Sequence, residues 1–291
     1  MMAVGKEAAL EPVVREFPQF FNYEFTPIRY RRWGARTAPR RAVLVHGFMQ
    51  NGDEHSRFAR RLVAAGWCVY CVDLPGHGLS GRRRNPADYS YEHYAATLST
   101  MLALAGGTGV DLFGNSMGGL IAMLLAATQG ASIRSVVLND IGTEWHEDGV
   151  RWFIDNTPRT DRFPSEEAAR EAVGSLLRLR GTLPQSEWDK IFGHLIFRDG
   201  PRWRARFDPA LRRHMETLES KPIHWAQWQR IACPILLIRG ADSNMLSADT
   251  AARMVELQPR SELLTLPDAG HSPWLRMPDQ IDPIIEWMQR H

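Results

Sequence analysis

Short apolar runs alternate with amphipathic stretches over most of this chain. Continuous apolar runs are typical of strands that a parallel sheet buries on both faces, and apolar residues at helical spacing lie between them. The alternation predicts an α/β fold, with a mostly parallel central sheet flanked by helices and joined by right-handed crossovers. The predicted strands are Ala42–Val45, Trp67–Val72, Val110–Phe113, Ile133–Leu138, Pro234–Ile238 and Glu262–Leu266, after an early hairpin that begins near Phe20.

The pattern changes between residues 142 and 231, where strands disappear and amphipathic helices take over. Two apolar stripes at helical spacing carry this reading: Ala169, Val173, Leu176 and Leu177, then Trp188, Ile191, Phe192 and Leu195. We therefore predict an α/β core made of residues 1–141 and 232–291, interrupted by a helical cap, or lid, of residues 142–231.

Composition and charge narrow the class of protein. The 291 residues are 44% hydrophobic, which is enough for a full core. The 35 basic and 33 acidic side chains give a net charge of +2. This balance does not indicate a protein that binds nucleic acids or membrane surfaces. No segment has the apolar core of a signal peptide or approaches the roughly 20 apolar residues of a membrane span. The three cysteines, an odd number, argue against a disulfide framework, so we expect a soluble cytoplasmic protein.

The segment Gly114-Asn115-Ser116-Met117-Gly118-Gly119 carries the strongest chemical signal. It contains G-x-S-x-G between a predicted buried strand and a predicted buried helix, which is the context of a nucleophile elbow. Such a serine projects from a tight turn, and side chains at the flanking glycines would clash there. We predict that Ser116 is a catalytic nucleophile.

A serine nucleophile needs a base that is oriented by a third group. In this architecture the order along the chain is serine, acid, histidine. His271 follows the last predicted strand and is the predicted base, and Asp242 follows the strand that ends at Ile238 and is the predicted acid. Asp140, at the end of another predicted strand, is the main alternative. We favour Asp242 because the chain passes directly from Asp140 into the insertion.

Two backbone N–H groups are candidates for an oxyanion hole. Met117 begins the helix after Ser116, and Phe48 lies in the loop that follows the strand ending at Val45. We expect His46 to be structural, with its ring hydrogen-bonded inside that loop.

These segments together resemble the α/β-hydrolase superfamily. The matching pieces are His46-Gly47-Phe48, Asp73 to Ser80, Gly114 to Gly119, Gly240-Ala241-Asp242 and Gly270-His271-Ser272, which span nearly all of the expected core. The resemblance implies the α/β-hydrolase fold, a serine triad and a helical cap over the active site. The family also contains enzymes with an aspartate at the elbow, and Ser116 excludes their chemistry here.

The resemblance also limits the reaction. The elbow looks like that of carbon–carbon bond hydrolases acting on meta-cleavage products, but the loop Gly47 to Gly52 lacks the small Gly-Pro-containing sequence usual in those enzymes. We therefore expect a serine hydrolase, a carboxylesterase in type, that cleaves an ester or lactone of a small to medium, largely apolar substrate through an acyl-enzyme. A carbon–carbon hydrolase, a perhydrolase and a non-catalytic ligand-binding member of the fold remain alternatives.

The sequence also gives expectations about the substrate pocket, cofactors and partners. Trp145, Trp152 and Trp274 are candidates for the substrate pocket: the first two belong to the predicted cap, which is unusually rich in aromatic residues, and Trp274 lies three residues after His271. The mechanism requires no cofactor, and the histidines and acids show no metal-ligand spacing. The expected partner is a small-molecule substrate, with no nucleic acid and no membrane, and the sequence leaves a homodimer open.

Overall fold

The computed structural model describes residues 11–144, 147–212 and 225–291. Its main sheet has the strand order β1-β2-β4-β3-β5-β6-β10-β11. The strands are β1 Val13–Phe21, β2 Glu24–Trp33, β3 Arg40–Val45, β4 Trp67–Val72, β5 Val110–Asn115, β6 Ile133–Asn139, β10 Ile235–Gly240 and β11 Ser261–Leu266. The β1–β2 hairpin and the β2–β4 pair are antiparallel, and the remaining pairs are parallel. The predicted mostly parallel sheet is confirmed.

Helices cover both faces of this sheet. Helices α1 (Ser56–Ala64) and α9 (Pro278–Arg290) bury apolar residues with one core cluster, and α2 (Tyr91–Ala105), α3 (Met117–Ala126) and α8 (Ala248–Leu257) do so with the other. Adjacent positions on a strand point to opposite faces, so the inner strands β3, β4, β5, β6 and β10 contribute to both clusters. Both faces are therefore shielded from water, as the continuous apolar runs predict.

The chain between β6 and β10 adds a second layer of structure. Its helices are α4 (Glu147–Asn156), α5 (Glu166–Leu177), α6 (Gln185–Leu195) and the short α7 (Trp225–Trp228). Ser165 precedes helix α5 as its N-cap, and its hydroxyl accepts a hydrogen bond from the Ala168 N–H at 3.2 Å. The division of the chain into core and cap at residues 142 and 231 stays a prediction.

The expectation that this segment contains no strands is wrong. Three short strands, β7 (Arg162–Phe163), β8 (Ile196–Asp199) and β9 (Arg202–Ala205), form an antiparallel sheet in the order β7-β9-β8. The β8–β9 hairpin turns at Gly200-Pro201, between the paired residues Asp199 and Arg202, and Gly200 has φ +60°, a positive value that a tight hairpin turn requires and that glycine adopts readily. Four-residue strands with several charged side chains carry too few apolar positions to stand out in the sequence.

Within the described ranges, no helix is long and apolar enough to cross a membrane.

Candidate active site

Ser116 lies in the sharp turn between β5 and α3. Its backbone has φ +49° and ψ −115°, a conformation that residues with a side chain rarely adopt. The turn is held because the Ser116 N–H donates to the carbonyl of Asn139 at 3.0 Å on the neighbouring strand. Such backbone strain concentrates at functional sites, where the surrounding fold holds it in place.

The glycines around Ser116 permit this turn through close backbone contacts. A Cβ on Gly114 would lie 2.5 Å from the Gly118 carbonyl oxygen, and one on Gly118 would lie 2.6 Å from the carbonyl oxygens of Val45 and His46. These distances are too short for any side chain, and the obstacles are backbone atoms. Helix α3 can therefore pack directly against the ends of β3 and β5 only with glycine at these positions.

The structure brings Ser116 and His271 together. Ser116 Oγ lies 2.8 Å from His271 Nε2, and His271 Nδ1 lies 2.8 Å from Asp140 Oδ2. His271 is 3% exposed and Asp140 is fully buried. An aspartate that accepts from Nδ1–H leaves the lone pair of Nε2 directed at the serine hydroxyl, which is the tautomer that a general base needs.

Asp140 is held firmly by hydrogen-bond donors. Its Oδ1 accepts from the Gly240 N–H at 2.9 Å, and its Oδ2 accepts from the Ser243 hydroxyl at 2.6 Å and the Ser272 N–H at 3.1 Å, besides His271. A carboxylate only accepts, so these donors satisfy both oxygens of Asp140 in a buried position.

The prediction that Asp242 orients His271 is contradicted by this geometry. Asp242 is exposed, and its backbone N–H donates to the carbonyl of Ala269 at 2.9 Å. Strands β6 and β10 are parallel neighbours in which Asn139 pairs with Ile238. Asp140 is therefore level with the end of β10 and reaches across to the His271 loop, whereas Asp242 lies beyond the strand end, in the turn that follows.

A network of amides fixes the loop that contains Phe48. Gln50 Oε1 accepts from the Gly47 N–H and from Asn115 Nδ2, each at 2.9 Å. The Phe48 N–H makes no hydrogen bond within the described residues, and Met117, at the first position of α3, has no intrahelical acceptor for its N–H. Both N–H groups are thus available near Ser116. Sequence reasoning did not identify Gln50, because a lone glutamine in a loop carries no motif.

His46 has the structural place expected of it. The ring is fully buried, its Nε2 accepts from the Leu74 N–H at 3.0 Å, and its Nδ1 lies 2.7 Å from the Gly47 carbonyl. Burial lowers the pKa of His46 from 6.5 to about 3, so the ring is neutral with its proton on Nδ1. This histidine joins two loops and does not contact Ser116 or Asp140 through its ring nitrogens.

A pocket opens in front of Ser116 and His271. Phe153, Leu176 and Leu177 form an apolar part of its wall, and the buried side chains of Gln50 and Arg180 also line it. Phe153 packs edge-on against the His271 ring, with centroids 5.5 Å apart. Neither Phe153 nor Arg180 was among the predicted pocket residues, because their approach to the site depends on how the inserted segment folds back.

Two of the predicted tryptophans, Trp152 and Trp274, lie outside the lining of this pocket. Trp152 packs edge-on against Phe153, at 5.4 Å between ring centroids, and stands behind it, outside the pocket lining. Trp274 lines a neighbouring cavity with Asn51 and Arg276. Trp145 lies outside the described residues.

In the described parts of the chain, no three His, Cys, Asp or Glu side chains cluster as metal ligands would.

Comparison with known proteins identifies the family. The model of the alpha/beta hydrolase family matches residues 42–282, so the chain belongs to this family. It is 28% identical over 262 residues to a 3-hydroxybutyrate-oligomer hydrolase of Cupriavidus necator, covering 87% of this chain and 89% of that protein. It is also 27% identical over 249 residues to a pimeloyl-[acyl-carrier protein] methyl ester esterase of Xanthomonas oryzae, covering 84% and 92%.

Solved structures of similar fold are also alpha/beta hydrolases. An alpha/beta hydrolase from Novosphingobium aromaticivorans has a TM-score of 0.84 at 27% identity, covering 97% of this chain and 99% of that one. The predicted fold and superfamily are confirmed, and the similarity to esterases supports an enzyme that hydrolyses esters.

Proposed function

We propose that this protein is a serine carboxylesterase in which Ser116 attacks an ester or lactone carbonyl. The observation that carries the proposal is the continuous hydrogen-bonded series from Ser116 Oγ through His271 to the Asp140 carboxylate, with both contacts at 2.8 Å. Asp140 takes the place in this proposal that the sequence alone assigned to Asp242.

In the first half of the reaction, His271 Nε2 takes the proton of Ser116 as Oγ bonds to the carbonyl carbon. The carbonyl oxygen becomes an oxyanion, and the N–H groups of Phe48 and Met117 stabilise it. Asp140 stabilises the imidazolium. The tetrahedral intermediate collapses, His271 gives its proton to the leaving alkoxide, and the acyl group stays on Ser116.

In the second half, water replaces the alcohol. His271 removes a proton from the water as its oxygen attacks the acyl carbon, and then returns that proton to Ser116 Oγ as the acid leaves. The apolar wall of Phe153, Leu176 and Leu177 suits an aliphatic part of the substrate. No step needs a metal or an organic cofactor.

Ester chemistry is favoured over the carbon–carbon alternative by the similarity to a methyl ester esterase. The side chain of Gln50 occupies the loop where carbon–carbon hydrolases are expected to have a small, Gly-Pro-containing sequence, and it ties this loop to Asn115.

The test is release of p-nitrophenol from a chain-length series of its esters, with wild type beside Ser116→Ala. We expect wild-type turnover that falls by about a thousandfold or more in the variant, because the nucleophile is lost. Equal activity in both proteins would show that Ser116 is not the nucleophile. Two inert proteins would overturn the esterase proposal, and dienol-ketone substrates and ligand binding would be tested next.

A further inference from the structure

Arg180 is a charged side chain of the pocket that the proposed mechanism does not use. It ends the short helical turn Arg178–Arg180 that follows α5, and it is only 3% exposed. Among the described side chains that line the pocket in front of Ser116, it is the only one with a permanent charge. A buried arginine at this place calls for a chemical explanation.

The inserted segment brings Arg180 against the histidine loop. Arg180 Nε donates to the Ser272 carbonyl at 2.6 Å, and the Ser272 hydroxyl lies 3.3 Å from His271 Nε2. The two backbones are also in close contact, since a Cβ on Gly270 would lie 1.8 Å from the carbonyl oxygen of Leu179. The guanidinium is therefore held next to the proposed reaction centre.

Three contacts fix the orientation of the guanidinium. Besides the Nε bond to Ser272, its Nη1 pairs with the carboxylate of Glu54, and its Cζ lies over the Trp274 ring, 3.8 Å from the ring centroid. Guanidinium carries five N–H donors, and the Nη2 group donates none of its hydrogens to the described residues. Because Nε and Nη1 are committed, Nη2 is the group whose donors are left for a ligand in the pocket that Arg180 lines.

The charge of Arg180 persists in this setting. Burial lowers the pKa of Arg180 from 12.5, and the neighbouring Glu54 acts in the opposite direction. An arginine stays protonated at neutral pH, and hydrogen bonds between two ionised groups are about twice as strong as neutral ones. A preoriented, partly desolvated guanidinium with free donors is well suited to a planar anion such as a carboxylate.

We propose that Arg180 binds a carboxylate of the substrate, so that the preferred substrates are esters that carry a free carboxylate. This inference rests on the proposed esterase function and narrows it. The apolar wall contacts the aliphatic part of such a molecule, and Arg180 binds its carboxylate. The exposed arginines of the insertion, such as Arg151 and Arg159, do not line the pocket.

The test compares anionic esters with neutral partners of similar shape. One series is the monomethyl esters of linear dicarboxylic acids from succinate to pimelate against the dimethyl esters, which places the carboxylate on the acyl side. The other is O-acetyl hydroxy acids against their methyl esters, which places it on the alcohol side. We expect kcat/KM in one series to favour the anion by about tenfold or more, as a charge-assisted hydrogen bond provides.

Variants assign this preference to Arg180. In Arg180→Gln the anion-to-neutral ratio of kcat/KM falls by about tenfold or more, mainly through KM, and Arg180→Lys retains part of it. Glu54→Gln removes the competing carboxylate and raises the ratio. Because Arg180→Gln leaves Glu54 buried without its partner, the double variant Glu54→Gln/Arg180→Gln provides a second, charge-balanced test with the same low ratio.

The matched control is Arg178→Gln. Arg178 is an exposed arginine of the same turn that pairs with Glu171, and its substitution keeps the wild-type ratio.

The outcomes separate this inference from the proposed function. A purely structural ion pair would lower the activity on both esters equally, and an unchanged ratio in Arg180→Gln would overturn the inference. Wild type that hydrolyses neutral esters through Ser116 without favouring the anion in either series would overturn it as well, while leaving the esterase proposal intact. The esterase proposal itself would be overturned by activity that does not depend on Ser116, or by the absence of activity on any ester.

Discussion

Asp140 receives four hydrogen bonds in the interior, whereas the Asp242 side chain stands at the surface. The two aspartates follow the ends of adjacent parallel strands, β6 and β10. The sequence alone therefore allows either of them to be the partner of His271. The choice depends on which carboxylate the His271 loop covers. Asp140 has φ +58°, a backbone conformation that aspartate tolerates better than most residues.

Substitution of the two aspartates distinguishes their roles. Asp140→Asn keeps the size of the side chain but offers His271 an amide, so the imidazole loses its orientation and its electrostatic support. We expect kcat/KM on a p-nitrophenyl ester to fall by about a thousandfold to ten-thousandfold. Asp242→Asn, the matched control, is expected to stay within about threefold of wild type, because surface substitutions have small effects.

A larger loss in Asp242→Asn than in Asp140→Asn would contradict this assignment. The far-ultraviolet circular dichroism of both variants shows whether each remains folded, so that a catalytic loss is not confused with unfolding.

At the scale of elements, helix α3 packs directly against the carboxyl ends of two strands. The contact places backbone against backbone, since Gly118 faces the carbonyl groups of Val45 and His46, and Gly114 faces those of α3. This close approach brings the first N–H of α3 and the loop containing Phe48 to the same side of Ser116. The position of one helix thus sets the geometry of both proposed oxyanion donors.

A methyl group at Gly118 tests this packing. Gly118→Ala places Cβ 2.6 Å from two carbonyl oxygens that cannot rotate away, so α3 must move off β3. We expect a loss of about 1–3 kcal/mol in the free energy of unfolding, measured by urea denaturation, together with reduced kcat.

Gly193→Ala is the matched control for this substitution. Gly193 lies in the last turn of α6, is exposed, and has no atom within 4 Å of an added Cβ. Alanine there should raise the free energy of unfolding by about 0.5–1 kcal/mol, because glycine is the poorer helix former. Equal effects of the two substitutions would show that the packing of α3 is not responsible.

At the scale of the whole molecule, two buried histidines link folding to pH. Burial lowers the pKa of both His46 and His55 from 6.5 to about 3, and Arg180 adds to the effect at His55. In the unfolded chain both take up protons near pH 6.5. Their contribution to stability is therefore fully present above about pH 6.5 and is lost as the pH falls from 6.5 toward 3.

The expected result is a stability that declines in mild acid before most carboxylates titrate. Between pH 7 and 5 each histidine should cost about 2 kcal/mol of the free energy of unfolding, measured by urea denaturation at several pH values. His55→Gln should reduce the slope of stability against pH in this range, whatever its effect at pH 7. An unchanged slope would show that His55 is not a source of the acid sensitivity.

Several elements could be predicted from the sequence because their signals are local. The apolar runs of β3, β4, β5, β6 and β10 show burial on both faces, and the glycines around Ser116 show a tight turn between a strand and a helix. The strands of the insertion are different. Strands β7, β8 and β9 gain their stability from pairing with one another, which no single short segment displays.

The sequence by itself determined the class of fold, the elbow at Ser116 and the histidine that meets it, because each depends on residues close together in the chain or on the order of strands. Which aspartate accepts from His271, and which residues form the wall of the pocket, were decided only by the tertiary structure. Asp140 reaches the histidine through the pairing of β6 with β10, and Arg180 reaches the pocket because the insertion folds onto the Ser272 loop. Contacts between segments so distant along the chain arise from packing, and packing leaves little trace in local residue patterns.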